Sequence, residues 1–537
     1  MKSVIKNASG LMSAILLTAC SGTSIEGSWV EPVPGMESMS QGIKIEAGGK
    51  ASSINMATLR YETWKNEGNR LILTGKSIGN HQTLSFSDTL IVEKLTRDSL
   101  VLRKGNYVLR YVKHRFTDRA SDQKETDGDV KYPGVATARM LNPIAPPGVF
   151  IADPEVRQMP DGRVYVYGSR DEPGNAWCSN SYHVLSSSDL VHWNVEQFSF
   201  ATKGTGDQVD YSDDLLYAPD CIHRDGKYYL YYCLAKDGEN EGVAVSTSPY
   251  GPFKDGKKIE GIEGIDPSVF IDDDGQAYLF WGQWHVRGAK LSRDMLSIEG
   301  AVRDSLLTYT ADSFNEGSSV RKRNGIYYLV YGSHSRHGKS NCATLDYATA
   351  TSPLGPYTYR GVIIDNWGSD RNLVNNHGCI TEINGQWYIA YHRPTHATKT
   401  GSMRKACLEP ITFNPDGTIP EVEMTTQGIG GPISPFYRME ASRACLLSGN
   451  VCVAVRRPEQ DMPIEFLSEI RDGDHAYWKY YDFTGTGVNR FICKTWGKNL
   501  AGKIEIRLDD PTGELIGTCE VEPMDGEVAY AIHETDI

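Results

Sequence analysis

Five segments of the chain share one pattern, in which an alternating apolar and polar run enters a tight turn and a second apolar run follows. Each turn closes on a glycine, and a tyrosine comes three residues later. In most copies the glycine follows Asp or Asn, which is the strongest short-range signal for a β-hairpin. The pattern therefore predicts five copies of one hairpin, with turn glycines Gly162, Gly226, Gly275, Gly325 and Gly385.

The spacing of these hairpins predicts how they assemble. Successive turn glycines lie 64, 49, 50 and 60 residues apart, which suits a four-stranded propeller blade rather than a helical solenoid repeat. We therefore predict a five-bladed β-propeller over residues 139–425. The whole chain is predicted to be all-β, with a small β-barrel before the propeller and a β-sandwich after it.

The polar residue that opens the inner strand of each blade carries the candidate chemistry. Inner strands line the axial channel of a propeller, so equivalent positions on the five blades converge on one spot. Clustered carboxyl groups repel each other and lose hydration, which destabilises a fold unless function requires the cluster. We predict the active site at these residues, which are Asp153, Asp220, Asp266, Glu316 and His377.

Three acidic motifs on separate blades resemble those of glycoside hydrolase family 43, and the match covers residues 140 to 425. The resemblance implies an inverting glycoside hydrolase that needs no cofactor for its chemistry. It also implies that Asp153 is the general base, Glu316 the general acid, and Asp266 the residue that orients the acid and raises its pKa. The motifs are Ala152-Asp153-Pro154, Ile265-Asp266-Pro267-Ser268-Val269 and Asn315-Glu316-Gly317.

These roles agree with the chemistry of glycoside hydrolysis. The reaction needs a proton donor at the leaving oxygen and, for inversion, a base that activates water on the opposite face of the sugar. A neighbouring carboxylate disfavours ionisation of Glu316 and would keep it protonated near neutral pH. A single Asp-Pro pair is more often a turn or a strand end, whereas three acidic residues in register on separate blades favour catalysis.

The remaining polar positions near the channel have two readings each. The resemblance implies that His377 contacts a hydrated calcium ion on the propeller axis, and the alternative is a hydrogen-bonded core histidine. Asp220 would bind a sugar hydroxyl or only organise the channel. Arg393, just after the last inner hairpin, would neutralise the carboxyl cluster or hold substrate.

Three tryptophans are candidate platforms on which a sugar ring could stack. They are Trp177, Trp281 and Trp284. We predict that Trp177 and Trp281, together with Asp220 and Arg393, bind the substrate. In an all-β domain, however, a tryptophan more often belongs to the core.

The N-terminus resembles a bacterial lipoprotein signal over residues 1–20. Two lysines precede an apolar run at residues 11–17, and Leu17-Thr18-Ala19-Cys20 follows. The resemblance implies cleavage before Cys20 and lipid on its thiol. We therefore expect a protein of the bacterial envelope, at the outer-membrane surface or in the periplasm, that touches the membrane only through its lipid. The alternative is a buried apolar helix.

Two further regions flank the propeller. Residues 24–115, beginning with Gly27-Ser28-Trp29-Val30, resemble a lipocalin-like β-barrel, and a polar linker over residues 116–138 follows. Residues 426–537 resemble a family 6 carbohydrate-binding module, a jelly roll that we expect to be truncated.

Composition narrows the partners and leaves the sugar open. A net charge of −13 disfavours nucleic acid, and cysteines without C-x-x-C spacing disfavour a thiolate metal site. We expect a poly- or oligosaccharide substrate from plants, cleaved by an α-L-arabinofuranosidase or a β-D-xylosidase. The alternatives are a β-D-galactofuranosidase or galactan-cleaving enzyme, and a catalytically inactive glycan-binding lipoprotein.

Overall fold

The structure is a computed structural model of the 537-residue chain. Two compact units divide it, residues 1–123 and residues 124–537. The lipid-carrying Cys20 predicted from the sequence lies outside the described residues. None of the described helices is both long and apolar enough to cross a membrane. The structure describes residues 24–33, 36–54, 59–79, 82–96, 99–105, 107–114, 136–137, 141–172, 177–235, 241–338, 341–369, 375–395, 403–456, 463–496, 501–523 and 530–537.

The first unit contains a closed antiparallel barrel of eight strands, in which the first strand also pairs with the last. Trp29 is fully buried inside it, and its indole N–H donates to the carbonyl of Ile25 at 2.7 Å. The predicted N-terminal β-barrel is confirmed. Its strands are β1 (Gly27–Val33), β2 (Met36–Glu46), β3 (Lys50–Ile54), β4 (Leu59–Glu67), β5 (Arg70–Gly79), β6 (Gln82–Leu95), β7 (Ser99–Lys104) and β8 (Tyr107–His114), with a 3₁₀ turn at Ala47–Gly49.

The second unit contains the five-bladed propeller, as predicted. Blades one to four have four antiparallel strands each, and blade five has three among the described residues. All five predicted turn glycines join the first two strands of a blade, with φ between 77° and 82°. The strands that precede and form blades one and two are β9 (Ala136–Thr137), β10 (Ile151–Gln158), β11 (Val164–Arg170), β12 (Ser181–Ser187), β13 (Asn194–Ala201), β14 (Leu216–Arg224), β15 (Lys227–Leu234), β16 (Glu241–Ser246) and β17 (Lys254–Lys258).

Blades three to five continue the same order. A short helix, α1 (Tyr309–Asp312), lies between blades three and four. The strands are β18 (Ser268–Ile271), β19 (Ala277–Trp281), β20 (Arg287–Leu291), β21 (Ile298–Arg303), β22 (Phe314–Arg323), β23 (Ile326–Ser333), β24 (Thr344–Ala350), β25 (Thr358–Asp365), β26 (Gly378–Ile383), β27 (Gln386–Pro394) and β28 (Arg404–Pro410).

The antiparallel order of each blade assigns its loops to one of two faces. Asp153, Asp266 and Glu316 lie where the first strands of their blades begin, and we call this side the mouth face. Connections from a second to a third strand lie on the same face. The turns from a first to a second strand and from a third to a fourth strand lie on the opposite face. The loop 282–286 therefore belongs to the mouth face, and the turn 247–253 to the opposite face.

The ring closes between blade five and the segment that enters blade one. The backbone N–H of Ile144 donates to the carbonyl of Ala406 on β28 at 2.9 Å. The Asn142 amide donates to the carbonyl of Leu408 at 3.0 Å and accepts from its N–H at 2.9 Å. Apolar side chains of blades one and five also share one core cluster. The two ends of the propeller sequence are thus joined by backbone and side-chain contacts.

After the propeller, in the region predicted to be a β-sandwich, the chain forms small two-stranded sheets. The likeness to a family 6 carbohydrate-binding module stays a prediction. β9 pairs in parallel with the first of the later strands. These are β29 (Tyr437–Arg438), β30 (Leu446–Leu447), β31 (Cys452–Arg456), β32 (Ile464–Ser468), β33 (Ala476–Tyr477), β34 (Arg490–Trp496), β35 (Gly502–Arg507), β36 (Leu515–Val521) and β37 (Tyr530–Asp536), with 3₁₀ turns at Gly428–Gly430 and Ala441–Arg443.

Candidate active site

The three predicted catalytic carboxyls stand on irregular backbone at the start of their strands. Strand pairing shifts register across Asp153 and on both sides of Glu316. Asp153 and Asp266 have φ of 51° and 60°, and Gly317 beside Glu316 has φ of 71°. Aspartate enters this left-handed region more readily than most residues. Such strain persists only where the surroundings hold it, which is common at functional sites.

Asp153 is a buried carboxylate with a complete set of partners. Its Oδ2 accepts from the Ser169 hydroxyl at 2.5 Å, and its Oδ1 accepts from Nη1 of Arg404 at 2.8 Å. Burial opposes ionisation of Asp153, but Arg404, His392 and His377 together outweigh it and hold the pKa well below its usual range. The side chain is therefore ionised near neutral pH, as a general base must be.

Arg404 is a site residue that the sequence did not reveal. Besides Asp153, it binds both carboxylate oxygens of Asp171 at 2.9 Å, and its Nη2 donates to the carbonyl of Trp177 at 2.7 Å. Burial raises the pKa of Asp171 to about 6, and Arg404 opposes that rise. Arg404 opens the third strand of blade five, where no motif marks it.

His392 was also missed, although it stands next to the predicted Arg393. Burial lowers the pKa of His392 to about 4, so the ring is neutral near pH 7. Its Nδ1 accepts the backbone N–H of Asp153 at 3.1 Å, and its Nε2 lies 3.0 Å from Oδ1 of Asn375. Because these partners require a proton on Nε2, His392 is held in one tautomer and braces the Asp153 backbone.

Asp266 and Glu316 form the second half of the site. Burial raises the pKa of Asp266 well above its usual range, and the nearby Glu316 carboxylate adds to the rise. The backbone N–H of Gly317 donates to Asp266, and the Gln283 amide donates to Oε2 of Glu316 at 2.9 Å. Because the pKa of Asp266 is raised, this part of the site holds a proton while Asp153 is charged. The predicted action of Asp266 on Glu316 stays a prediction.

His377 joins the two halves of the site. Its Nδ1 lies 3.6 Å from Oδ1 of Asp153 and 3.8 Å from Oδ2 of Asp266. The ring also packs on Gly317, where an added Cβ would approach it to 2.8 Å. In the part of the chain that the structure describes, no three His, Cys, Asp or Glu side chains could together hold a metal ion. His377 therefore fits only an ion that keeps most of its water shell.

The structure favours the second of the two readings of Asp220. Its Oδ1 accepts from Nε of Arg157 at 2.9 Å, and its Oδ2 accepts from Arg157 Nη2 at 2.6 Å and from the N–H of Val269 at 2.8 Å. The carboxylate is fully buried by these contacts. The prediction that Asp220 binds a sugar hydroxyl is therefore wrong, because neither carboxylate oxygen is accessible. Asp220 instead organises the channel by linking neighbouring blades.

Two more predicted substrate contacts are contradicted by burial. Arg393 is buried on the side of β27 away from Asp153, among Tyr391 and Cys407, so it neither holds substrate nor neutralises the cluster. Trp281 is only 1% exposed, and its indole N–H donates to the carbonyl of Glu263 at 3.2 Å. Trp177 is 37% exposed, and its ring lies 5.3 Å from the Arg404 guanidinium, so its contact with sugar stays a prediction.

Comparisons with known proteins identify two families in this chain. Residues 140–419 match the model of glycosyl hydrolases family 43, and residues 21–114 match a lipocalin-like family. A xylosidase/arabinosidase of Thermoclostridium stercorarium is 33% identical over 447 residues, covering 69% of this chain and 91% of the relative. An arabinoxylan arabinofuranohydrolase of Bacillus subtilis is 30% identical over 437 residues, covering 70% of this chain and 83% of that relative.

A third relative acts on a different sugar. It is a β-D-galactofuranosidase of Aspergillus niger, 29% identical over 308 residues that cover 54% of this chain and 87% of the relative. The family match spans more than half of the chain and includes all three predicted catalytic carboxyls. The chain therefore belongs to glycoside hydrolase family 43 and is an inverting glycoside hydrolase that carries a lipocalin-like domain before its propeller.

Proposed function

We propose that this enzyme is an exo-acting glycosidase that releases α-L-arabinofuranose or β-D-xylose from plant polysaccharide. The observation that carries the hydrolytic role is the contrast between its carboxyl groups. Arg404 keeps Asp153 ionised, whereas burial and a neighbouring carboxylate raise the pKa of Asp266. The xylosidase/arabinosidase and arabinofuranohydrolase relatives support the choice of a pentose.

In the proposed mechanism, Asp153 takes a proton from the water that attacks the anomeric carbon. Glu316 gives a proton to the departing oxygen on the other side of the bond, so the product has inverted configuration. Asp266, which its raised pKa keeps protonated, lies near Glu316. The Gln283 amide donates to Oε2 of Glu316 at 2.9 Å and holds that carboxyl in place. Arg404 and His392 keep Asp153 charged and in place.

The sugar is tested by measuring kcat/KM on three 4-nitrophenyl glycosides: α-L-arabinofuranoside, β-D-xylopyranoside and β-D-galactofuranoside. We expect one of the two pentosides to be preferred, and sugar release from arabinoxylan to yield the same monosaccharide. Preference for the galactofuranoside would establish the second candidate, which the Aspergillus niger relative favours. Absence of turnover on all three glycosides would contradict both choices of sugar.

We also propose that a mostly hydrated calcium ion rests on His377. Chelator should then lower the activity of the wild type, calcium should restore it, and elemental analysis should find the metal. The His377→Ala variant should lose about tenfold in kcat/KM, because its imidazole also lies between the carboxyl groups of Asp153 and Asp266. Its residual activity should not respond to chelator. His223→Ala, on the strand end at the opposite face, should behave like the wild type. A metal-free, chelator-insensitive wild type would contradict the calcium proposal.

The localisation we propose is the bacterial envelope, with lipid on Cys20 as the anchor. The basic residues, apolar run and Cys20 of the first 20 residues support it. Cys20→Ala should move the protein from the membrane fraction to the soluble fraction with unchanged kcat/KM, since the lipid takes no part in the chemistry. Cys493→Ala is the matched control and should remain with the membranes. A membrane-bound Cys20→Ala protein would show that another segment anchors the chain.

A further inference from the structure

We propose that Trp284, backed by His334, is the platform for the leaving-group sugar, meaning the ring that departs when the bond breaks. The ligand class is a neutral sugar ring, and the enzyme would therefore favour a bond to another sugar over a bond to a small alkyl group. This inference rests on the proposed function as a glycosidase and adds a specificity-determining residue to it.

Trp284 stands directly beside the predicted acid. The preceding residue, Gln283, donates to Oε2 of Glu316 at 2.9 Å. The backbone N–H of Trp284 donates to the carbonyl of Asn315, the residue before Glu316, at 2.8 Å. A general acid protonates the oxygen of the departing group, so side chains around the acid face that group. The loop 282–286 thus lies on the leaving-group side of the site.

The indole of Trp284 packs against two aromatic rings and is also open to solvent. It stacks on the His334 ring with centroids 6.2 Å apart and planes at 11°, and it meets Tyr309 edge-on at 5.4 Å. His334 is itself fixed, because its Nε2 lies 2.7 Å from Oδ1 of Asn315. Yet Trp284 remains 50% exposed. A large aromatic surface that is already ordered binds a ring at low entropic cost.

The backbone of Trp284 argues against a purely structural role. Its φ is 66°, a conformation that a bulky residue rarely adopts. Two hydrogen bonds maintain it: its own N–H to Asn315, and its carbonyl, which accepts from the N–H of Tyr309 at 2.8 Å. Trp281, three residues earlier, is almost fully buried, as a tryptophan with a purely structural role would be. The fold instead uses strained backbone to present Trp284 at the mouth face, as functional residues are often presented.

The test compares two substrates with the same glycon, namely the methyl glycoside and the disaccharide of the sugar that the wild type releases. Trp284→Ala should lower kcat/KM on the disaccharide by about tenfold, mainly through KM, because stacking is lost. It should leave kcat/KM on the methyl glycoside within about twofold, since no second ring is bound. The inhibition constant of the monosaccharide product should not change. Trp284→Phe keeps an aromatic ring and should recover most of the disaccharide activity.

Tyr250→Ala is the matched control, because Tyr250 is 45% exposed in the turn 247–253 on the opposite face. It should hydrolyse both substrates like the wild type. An equal loss on both substrates in Trp284→Ala and Trp284→Phe, or no loss on the disaccharide, would overturn the assignment. If the wild type releases a sugar other than a pentose, the proposed function fails on that point, and the same comparison with that sugar still tests Trp284.

Discussion

Asp153→Asn is expected to abolish hydrolysis of every glycoside, with a loss of about 10³-fold or more in kcat. The amide cannot take a proton from water, and this step is needed whatever the leaving group is. Asparagine also tolerates the φ of 51° and can still accept from Arg404, so the fold should survive. Circular dichroism checks that the variant is folded. Measurements of kcat on activated and unactivated substrates give the loss of hydrolysis.

Azide provides the decisive control for this variant. As a nucleophile that needs no base, it should restore turnover of an activated glycoside and give a glycosyl azide of inverted configuration. Asp273→Asn changes an exposed aspartate in the hairpin turn of blade three and should keep wild-type activity. Proton NMR of the earliest wild-type product should likewise show inversion. A product with retained configuration would contradict the role of Asp153 as base.

Glu316→Ala is expected to show a loss that depends on the leaving group. Hydrolysis of an oligosaccharide should fall by about 10²- to 10⁴-fold, because its departing oxygen needs a proton. A dinitrophenyl glycoside, whose leaving group departs as a stable anion, should lose far less. The slope of log kcat/KM against leaving-group pKa should therefore steepen in the variant.

Glu382→Ala is a suitable control for this series, since Glu382 is an exposed glutamate near the hairpin turn of blade five. Its slope should match that of the wild type. An equal fractional loss on both classes of substrate in Glu316→Ala would remove Glu316 from the role of acid and leave it as a binding group.

The sequence was sufficient to predict the propeller and the place of its carboxyl cluster. Both depend on local signals, namely a repeated hairpin turn and short acidic motifs at the start of first strands. Arg404 escaped because it lies on a third strand and reaches Asp153 across 251 positions of sequence. His392 and Arg393 are adjacent, and neighbouring strand residues point to opposite faces. Only the register of β27 decides which of the two enters the site.

The wrong assignments also have a long-range cause. Asp220 follows the register shift of its strand, which is the position of Glu155 in blade one, whereas Asp153 lies within the shift. Arg157 of blade one and the backbone of Val269 in blade three occupy the oxygens of Asp220. Trp281 and Trp284 differ by three positions, yet the first ends a strand inside the core and the second follows in an exposed loop. Composition and motif spacing do not distinguish such cases, because the partners come from other blades.

The contact between Asp153 and Arg404 crosses the junction where the last blade meets the first, which has a consequence for biosynthesis. Arg404, His377 and His392 all come from blade five, so a growing chain with four blades lacks these three partners of Asp153. Such a chain has neither the charge that favours ionised Asp153 nor the side chains that surround it. Arg404 is also the last of these residues to leave the ribosome. The base is therefore complete only after the whole propeller sequence has been synthesised.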